Sequence, residues 1–270
     1  MKINSNDTAW VTGASSGIGA AMATLLADKV GRLVISARRV GKLQTLKQKC
    51  LAKNPNLEVF IHSFDLSDAQ SVEQASKDIF DLVSKVDLLI NNGGISQRSL
   101  VAETDLAVDR RIMEINFFGA VALSKTVLPG MIEQNRGHIL TVSSLVGKFG
   151  TPLRSAYAAS KHALHGWFDS LRAEVYKNQI GVTLFCPGYI RTNISLNALK
   201  GDGEKHAQMD DNQQNGKSPE SCAEAMLSAI ENNKEEVYFG GKEVMGVYVK
   251  RFFPGIFSGI IRKMKVKRQR

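Results

Sequence analysis

The chain has 270 residues and 43% hydrophobic side chains, enough to bury one large core, and its three cysteines (Cys50, Cys186, Cys222) are too far apart for a disulfide framework or a zinc spacing and point to a reducing compartment. Of the net charge of +9, residues 242–270 carry +8, from nine Lys or Arg against the single acid Glu243. The body is nearly neutral, and no aromatic residues interleave with the basic end of the tail, so nucleic acid is excluded as a partner.

The first residues, MKINSNDTAWVTG, hold no apolar run long enough for a signal peptide. No eighteen consecutive residues are apolar either, so no membrane-spanning helix is expected and a cytoplasmic location is. Seven runs rich in β-branched residues read as strands: 8–12 (TAWVT), 32–36 (RLVIS), 57–64 (LEVFIHSF), 86–91 (VDLLIN), 137–143 (GHILTVS), 180–186 (IGVTLFC) and 236–240 (EVYFG). Segments with helical periodicity lie between them. The strands are nearly continuous in apolar residues, as strands buried on both faces are. The alternation predicts an α/β fold: a doubly wound, Rossmann-type, mostly parallel seven-stranded sheet with helices on both faces. A single dinucleotide-binding domain over 1–241, with a substrate loop at 193–217, is expected to precede a basic, amphipathic extension over 242–270. The polar stretch 197–219 reads as a mobile loop or a short helical lid.

The first strand runs straight into TGASSGIGAAMATLLA, with Gly13, Gly17 and Gly19 spaced G-x-x-x-G-x-G. Glycines at a strand-to-helix turn let the backbone approach a pyrophosphate, and the helix start supplies free N–H groups and a positive dipole end. A tight, packed turn is the bland alternative. With the strand before and the helix after, the turn reads as a dinucleotide site. Strand two ends in RLVISARRVGKL. Ala37 stands where an acid would bind a ribose 2′-OH and select NAD. Arg38 and Arg39 follow it, and no acid lies between Asp28 and Glu58. Guanidinium groups pair with a 2′-phosphate, and a cation at a helix start opposes the helix dipole, so NADP(H) is favoured over NAD(H).

In YAASKHAL, Tyr157 and Lys161 are one helical turn apart on one face, with small residues between them that leave room for a flat ligand. A phenol ordinarily titrates near pH 10; a neighbouring ammonium lowers that toward the range useful for proton transfer. His162 and His165 follow, but no carboxylate or third histidine is placed to complete a metal site, so they read as ordinary helix residues. Met113, Phe117 and Phe118 read as core.

Several motifs occur in order: TGASSGIG; NNGG (91–94), where N-N-A-G would be usual; Asn116 in EINFFGA; Ser144 at the end of TVSS; Tyr157-x-x-x-Lys161; and PGYIRT (187–192). Together they resemble the short-chain dehydrogenases/reductases over residues 7–240. The stretch SSLVGKFGTP…SAYAASKHAL is similar to the member-7-like branch, whose members act on lipid-like carbonyls. The resemblance implies hydride transfer between a nicotinamide dinucleotide and a carbonyl or secondary alcohol. Tyr157 would be the acid/base, Lys161 its tuning cation, Ser144 the donor to the substrate oxygen (Ser143 being the other candidate), and Asn116 a relay through water. Cofactor contacts would come from Gly13, Ser15, Ser16, Gly17, Ile18 and Gly19 at the first turn, and from Arg38 and Arg39. Asp65, Leu66, Asn91, Asn92 and Gly93 would line the adenosine side. Tyr157, Lys161, Pro187, Gly188, Ile190 and Thr192 would lie at the nicotinamide end. The single glycine in place of alanine in NNGG leaves the space intact. The resemblance also implies a homodimer or homotetramer, formed through the helices around Asn116 and Tyr157. An NAD-linked alcohol dehydrogenase is the second reading. An idle dinucleotide sensor or partner protein is the third, and four intact catalytic positions speak against it.

The substrate is expected to be sensed by 145–154 and 193–217. Pro254 breaks the tail, and apolar residues at 256, 257, 260, 261 and 264 then make one helical face with cations after it. That pattern reads as an interfacial membrane helix, a helix packed over the substrate cleft, or a dimer contact.

Overall fold

The computed structural model describes residues 1–264. In chain order, β1 (Thr8–Thr12), α1 (Gly17–Leu26), β2 (Arg32–Ser36), α2 (Val40–Lys53), β3 (Glu58–Ile61), α3 (Ala69–Leu82) and β4 (Leu88–Asn91) make the first half. Then come α4 (Leu106–Met113), a π-helical turn (Glu114–Phe118), α5 (Gly119–Glu133), β5 (Gly137–Val142), α6 (Ser155–Glu174), β6 (Ile180–Pro187), the four-residue α7 (Asp211–Gln214), α8 (Pro219–Glu231) and β7 (Glu236–Phe239). The tail adds α9 (Met245–Phe252) and α10 (Pro254–Arg262).

The seven strands form one sheet in the order β3-β2-β1-β4-β5-β6-β7, and all six pairings are parallel, so the sheet is wholly rather than mostly parallel. Both faces are covered, which explains the unbroken apolar strands. Ala9 and Val11 of β1 pack with α1, α2 and α8, whereas Trp10 between them packs with α3, α5 and α6 on the other face. The one polar atom of Trp10 is satisfied, since its indole N–H donates to Ser36 Oγ at 2.8 Å. Strand order reverses between β1 and β4, so a crevice opens at their carboxyl ends, where ligands of such sheets bind.

β3 is shorter than the apolar run suggests. Its partner β2 stops at Ser36, so the ladder ends at Ile35–Ile61. His62 and Phe64 then turn inward as a loop and pack against Trp10, with ring centroids 5.9 and 6.2 Å away. By length and composition the run Leu106–Glu133 could cross a membrane. Leu123, Val127 and Met131 of that run are buried against the sheet, so in this fold it is a core element. The polar stretch 197–219 forms neither a free loop nor a helical lid beyond α7. Bridges Gln97↔Leu199 and Ile190↔Lys217 tie it down, and Ala198 and Leu199 are buried.

The tail packs across the open end of the crevice. Val247 and Phe257 join Leu145, Phe149 and Cys186 in a small apolar cluster, and Phe257 meets Phe149 with ring centroids 5.0 Å apart. Of the three readings of the tail, a helix over the cleft is the arrangement observed. The basic end at Lys265, Lys267, Arg268 and Arg270 lies outside the described residues.

Candidate active site

Two adjoining cavities occupy the crevice. The larger, of about 580 Å³, runs from Arg38 and Arg39 past the glycine turn to Asn92, Gly94 and Thr192. The smaller, of about 350 Å³, shares Ile18, Asn92, Gly94, Thr192 and Ile194 with it and continues past Ser144, Tyr157 and Lys161 to α10.

The backbone makes the first cavity. Gly13 and Gly17 have φ of +63° and +59°, a region that side chains resist. A Cβ on Gly13 would also lie 2.8 Å from the Gly93 Cα. Ser16 caps α1 without a side-chain hydrogen bond, and no acid occupies the first turn, so the helix start keeps its N–H groups for a ligand. Ser15, Ser16, Gly17, Ile18, Arg38, Arg39, Asp65, Leu66, Asn92 and Gly93 all line this cavity. Arg39 donates to Ser15 Oγ (2.9 Å) and Ser16 Oγ (3.2 Å), bridging the glycine turn to the start of α2. Arg38 lies 3.4 Å from Asp65. Burial pushes the Asp65 carboxyl up, but hydrogen bonds from Ser67 and the Arg38 charge outweigh it and hold the group below its ordinary range. An elongated cavity with an uncapped helix start at its middle and two guanidinium groups at one end fits a dinucleotide.

Two expected contacts are placed elsewhere. Gly19 does not line the cavity. It lies inside α1, where a Cβ would be 2.5 Å from the Gly13 carbonyl oxygen and Asn92 Nδ2, so its smallness lets the turn close. Asn91 ends β4 with its side chain in the core, donating to Ser124 Oγ (3.0 Å) and Thr141 Oγ1 (3.3 Å). Strand alternation sends Asn91 and Asn92 to opposite faces.

Side chains make the second cavity. Ser144 follows β5 and caps the turn Leu145–Gly147, accepting from Val146 N and donating to the Pro187 carbonyl, both at 3.4 Å. Tyr157 lies in the first turn of α6, buried, with Ser144 in hydrogen-bonding reach of its phenol. Lys161, also buried, donates to the Val142 carbonyl at 2.8 Å and lies 5.8 Å from the Tyr157 ring centroid. Burial raises the Tyr157 pKa, and Ser144 and the charges of Arg154 and Arg98 pull against that rise. Arg98 and Arg154, which the sequence gives no reason to place here, therefore act on the phenol beside Lys161. Burial lowers Lys161 to about 8, which leaves it mostly protonated at neutral pH.

Asn116 is set by the π turn. One extra residue per turn rotates Asn116 inward, where it is 2% exposed, and Phe118 outward, where it is 50% exposed rather than core. Asn116 Oδ1 accepts from Ile95 N (2.8 Å), and its Nδ2 donates to the Ile95 carbonyl and to Ser160 Oγ, both at 3.0 Å. It stands behind Gly94, whose bare Cα leaves a Cβ-sized gap 3.0 Å from Asn116 Oδ1 and 3.7 Å from Lys161 Nζ. Pro187, Gly188, Ile190 and Thr192 line the smaller cavity as expected.

Several residues here carry no sequence signal. Gln97, fully buried, accepts from Ala156 N at 2.9 Å and so fixes the start of α6 and with it Tyr157. Arg98, which also lines the cavity, pairs with Asp210 of the 193–217 segment (Nε–Oδ2 3.1 Å), and Arg154 pairs with the same carboxylate at 3.2 Å. Gln213 of α7 donates to the Ile190 carbonyl and to Thr192 Oγ1. Each partner is far away along the chain, so no local pattern could reveal the pairing. His165 is not an ordinary helix residue: its ring lies 3.1 Å from Ser143 Oγ, 3.7 Å from Cys186 Sγ and 3.4 Å from the Glu236 carboxylate, and burial lowers its pKa to about 4. Folding supplies the carboxylate that the sequence lacks nearby. Lys148, 2.6 Å from the same Glu236 oxygen, already answers that charge.

A family profile described as short chain dehydrogenase matches residues 7–202. The chain is 42% identical over 265 residues to dehydrogenase/reductase SDR family member 7B of Xenopus laevis, covering 96% of this chain and 81% of that protein. A short-chain dehydrogenase/reductase from Burkholderia phymatum, solved in complex with NAD, shares the fold with a TM-score of 0.81 at 22% identity, covering 100% of this chain and 99% of that one. A metagenomic short-chain oxidoreductase solved in complex with NADP has a TM-score of 0.71 at 29% identity, covering 87% and 97%. The chain belongs to the short-chain dehydrogenases/reductases, in their member-7-like branch, and is an oxidoreductase acting on the CH–OH group with a nicotinamide dinucleotide.

Proposed function

We propose that this protein is an NADP(H)-dependent reductase of hydrophobic carbonyl compounds, able to run in reverse on the secondary alcohol. The convergence of Ser144, Tyr157 and Lys161 on the smaller cavity, which adjoins the larger one at Gly94 and Thr192, carries this reading. The glycine turn and the start of α1 would hold the pyrophosphate, and Asp65, Asn92 and Gly93 the adenosine side. Pro187, Gly188, Ile190 and Thr192 would hold the carboxamide end, and Arg38 and Arg39 a 2′-phosphate. The dinucleotide supplies the hydride in reduction and takes it up in oxidation. Ser144 donates a hydrogen bond to the substrate oxygen and orients it. Tyr157, kept protonated at neutral pH by its burial, gives its phenolic proton to that oxygen in reduction and takes one back in oxidation. Lys161 contributes positive charge beneath the ring, and Asn116 holds the Ile95 loop against α6, beside the Lys161 ammonium. Leu145, Val146, Phe149, Ile194, Phe257 and Ile261 give the smaller cavity a largely apolar wall beside Arg98 and Arg154, which favours a hydrophobic substrate.

The absence of an acid at Ala37, with two guanidinium groups beside it, supports NADP(H) over NAD(H). Phe118 and Leu106, 50% and 60% exposed on α4–α5, support a homodimer or homotetramer through that helix pair. Peripheral contact with a membrane from the cytoplasmic side is part of the same reading.

The test is NADPH and NADH consumption with steroid, retinoid, aliphatic and aromatic carbonyls, run beside Tyr157→Phe. NADPH-linked turnover that the variant lacks is the expected result. Turnover undiminished in the variant, or a preference for NADH, overturns the reading.

A further inference from the structure

The tail is apolar on two sides. A helix packed on its own protein needs one apolar face. In α9 that face is Val247, 7% exposed, and in α10 it is Phe257, 6% exposed. Yet Met245, Tyr248, Phe252, Phe253, Ile256 and Ile260 point outward, each between 46% and 68% exposed. Seven of the fourteen exposed large apolar side chains among the described residues fall in 245–264, a density that scattered single exposures do not produce. Cations flank the ridge at Lys242, Lys250, Arg251, Arg262 and Lys263, and four more follow in sequence at 265–270. The one acid of this stretch, Glu243, is turned inward, accepting from Tyr189 N at 3.1 Å. The ridge is therefore apolar within a positive field.

The ridge also borders the smaller cavity. Ile260 is 54% exposed to the outside and lines the cavity as well, together with Phe257, Ile261 and Met264. The mouth of that cavity thus opens beside the ridge.

We propose that α9 and α10 form a seat for an anionic lipid surface, and that the cavity opens toward that surface so that its apolar substrate enters from lipid. The outward side chains sink into the interface and the flanking cations meet anionic headgroups. A second copy of the chain fits the ridge less well, because a two-fold contact would set the same cations against one another with no acid within 245–264 to answer them. The seat places the membrane contact of the proposed function on α9 and α10 and needs no activity; entry of substrate from lipid rests on the reductase reading as well.

The full chain is sedimented with phosphatidylcholine vesicles, with and without phosphatidylserine. The expected result is binding about tenfold or more tighter to the anionic vesicles. The variant Phe252→Ser/Phe253→Ser/Ile256→Ser, which leaves the cavity lining untouched, is expected to bind about tenfold or more weakly. Its fold is checked by circular dichroism and its NADPH affinity by fluorescence. Replacing Lys250, Arg251 and Arg262 by Gln is expected to remove the preference for phosphatidylserine. Wild-type protein left in the supernatant with both vesicle types, or a serine variant that binds as well as wild type, overturns the seat. A solution dimer lost in the serine variant assigns the ridge to self-association and overturns it too. Sedimentation needs no turnover, so failure of the reductase reading leaves this test intact. Entry from lipid is read separately: the apparent KM for a vesicle-dissolved long-chain ketone should rise in the serine variant, with no change for a water-soluble carbonyl, and an equal response to both overturns that part.

Discussion

The two halves of the cleft are built from different materials. The dinucleotide half is backbone at its middle, contributed by Gly13 and residues 15–18 at one strand-to-helix turn and closed by Asn92 and Gly93 of the adjacent strand end. The substrate half is side chain, gathered from Arg98, Ser144, Arg154, Tyr157, Asp210 and the tail. Backbone placed at positive φ in van der Waals contact leaves almost no room for change and serves one kind of ligand. Side chains drawn from separate segments can be exchanged one at a time while the sheet and the glycine turn stay as they are. The fixed half therefore reports the cofactor, and the variable half sets the substrate.

Tyr157 lines the substrate half alone, so its removal should separate the halves most cleanly. Tyr157→Phe keeps the ring and loses the hydroxyl that carries the proton. We expect kcat to fall about 10³-fold, within the usual range for a positioned acid/base, with NADPH still bound. Steady-state assay beside a fluorescence titration checks this. Loss of NADPH binding in the same variant would show that the halves are not independent.

Gly13→Ala tests the backbone half. The new methyl would sit at a φ of +63° and 2.8 Å from the Gly93 Cα, and neither strand end can withdraw without disturbing the β1–β4 pairing. A loss of about 2–4 kcal/mol of stability is expected, with weaker NADPH binding. Urea unfolding measures the first and titration the second. A variant as stable as wild type would mean that the turn is looser than its geometry implies.

The same division explains what the sequence revealed. The glycine turn, Tyr157–Lys161 and PGYIRT are short-range patterns whose chemistry requires fixed spacing, and all three lie at the cleft. The strands were legible because burial on both faces leaves few polar positions in the central ones. Asn116 was legible as a motif but its π turn was not, since the extra residue shows only as Phe118 displaced to the surface. Arg98–Asp210 was illegible for another reason. The two residues are 112 positions apart, and nothing local distinguishes Arg98 from a solvated arginine. Asn91 was misassigned because neighbouring asparagines at a strand end face opposite sides, and composition does not say which one faces the cleft.

Ala37→Asp sharpens the account of cofactor choice. A carboxylate at the end of β2 would repel a 2′-phosphate and accept from a ribose hydroxyl. The ratio of kcat/KM for NADPH over NADH should fall about tenfold to a hundredfold, each tenfold being about 1.4 kcal/mol. An unchanged ratio would remove Arg38 and Arg39 from the explanation.

The smallest effect expected comes from Asp210→Asn, in the variable half. Burial pushes the Asp210 carboxyl up, but Arg98 and Arg154 more than reverse this and hold it below its ordinary value of 3.8. The ionised form is the one that pairs. The contribution of the pair is therefore complete above that ordinary value and is lost only as pH falls through the lower folded value, so wild-type KM should not vary with pH on this account from pH 5 to neutrality. The amide keeps the shape but drops the charge at every pH. KM for a neutral carbonyl should rise about fivefold, the cost of about 1 kcal/mol of lost positioning in the 193–217 segment. A purely structural role would stop there. Here the two arginines also act on Tyr157, favouring its phenolate, and Asp210 offsets part of their charge. Removing the offset lowers the phenol pKa, while reduction needs the phenol protonated. The alkaline limb of the NADPH-linked rate profile should consequently move to lower pH. A raised KM with an unmoved alkaline limb would show that the arginines hold the loop without tuning the acid.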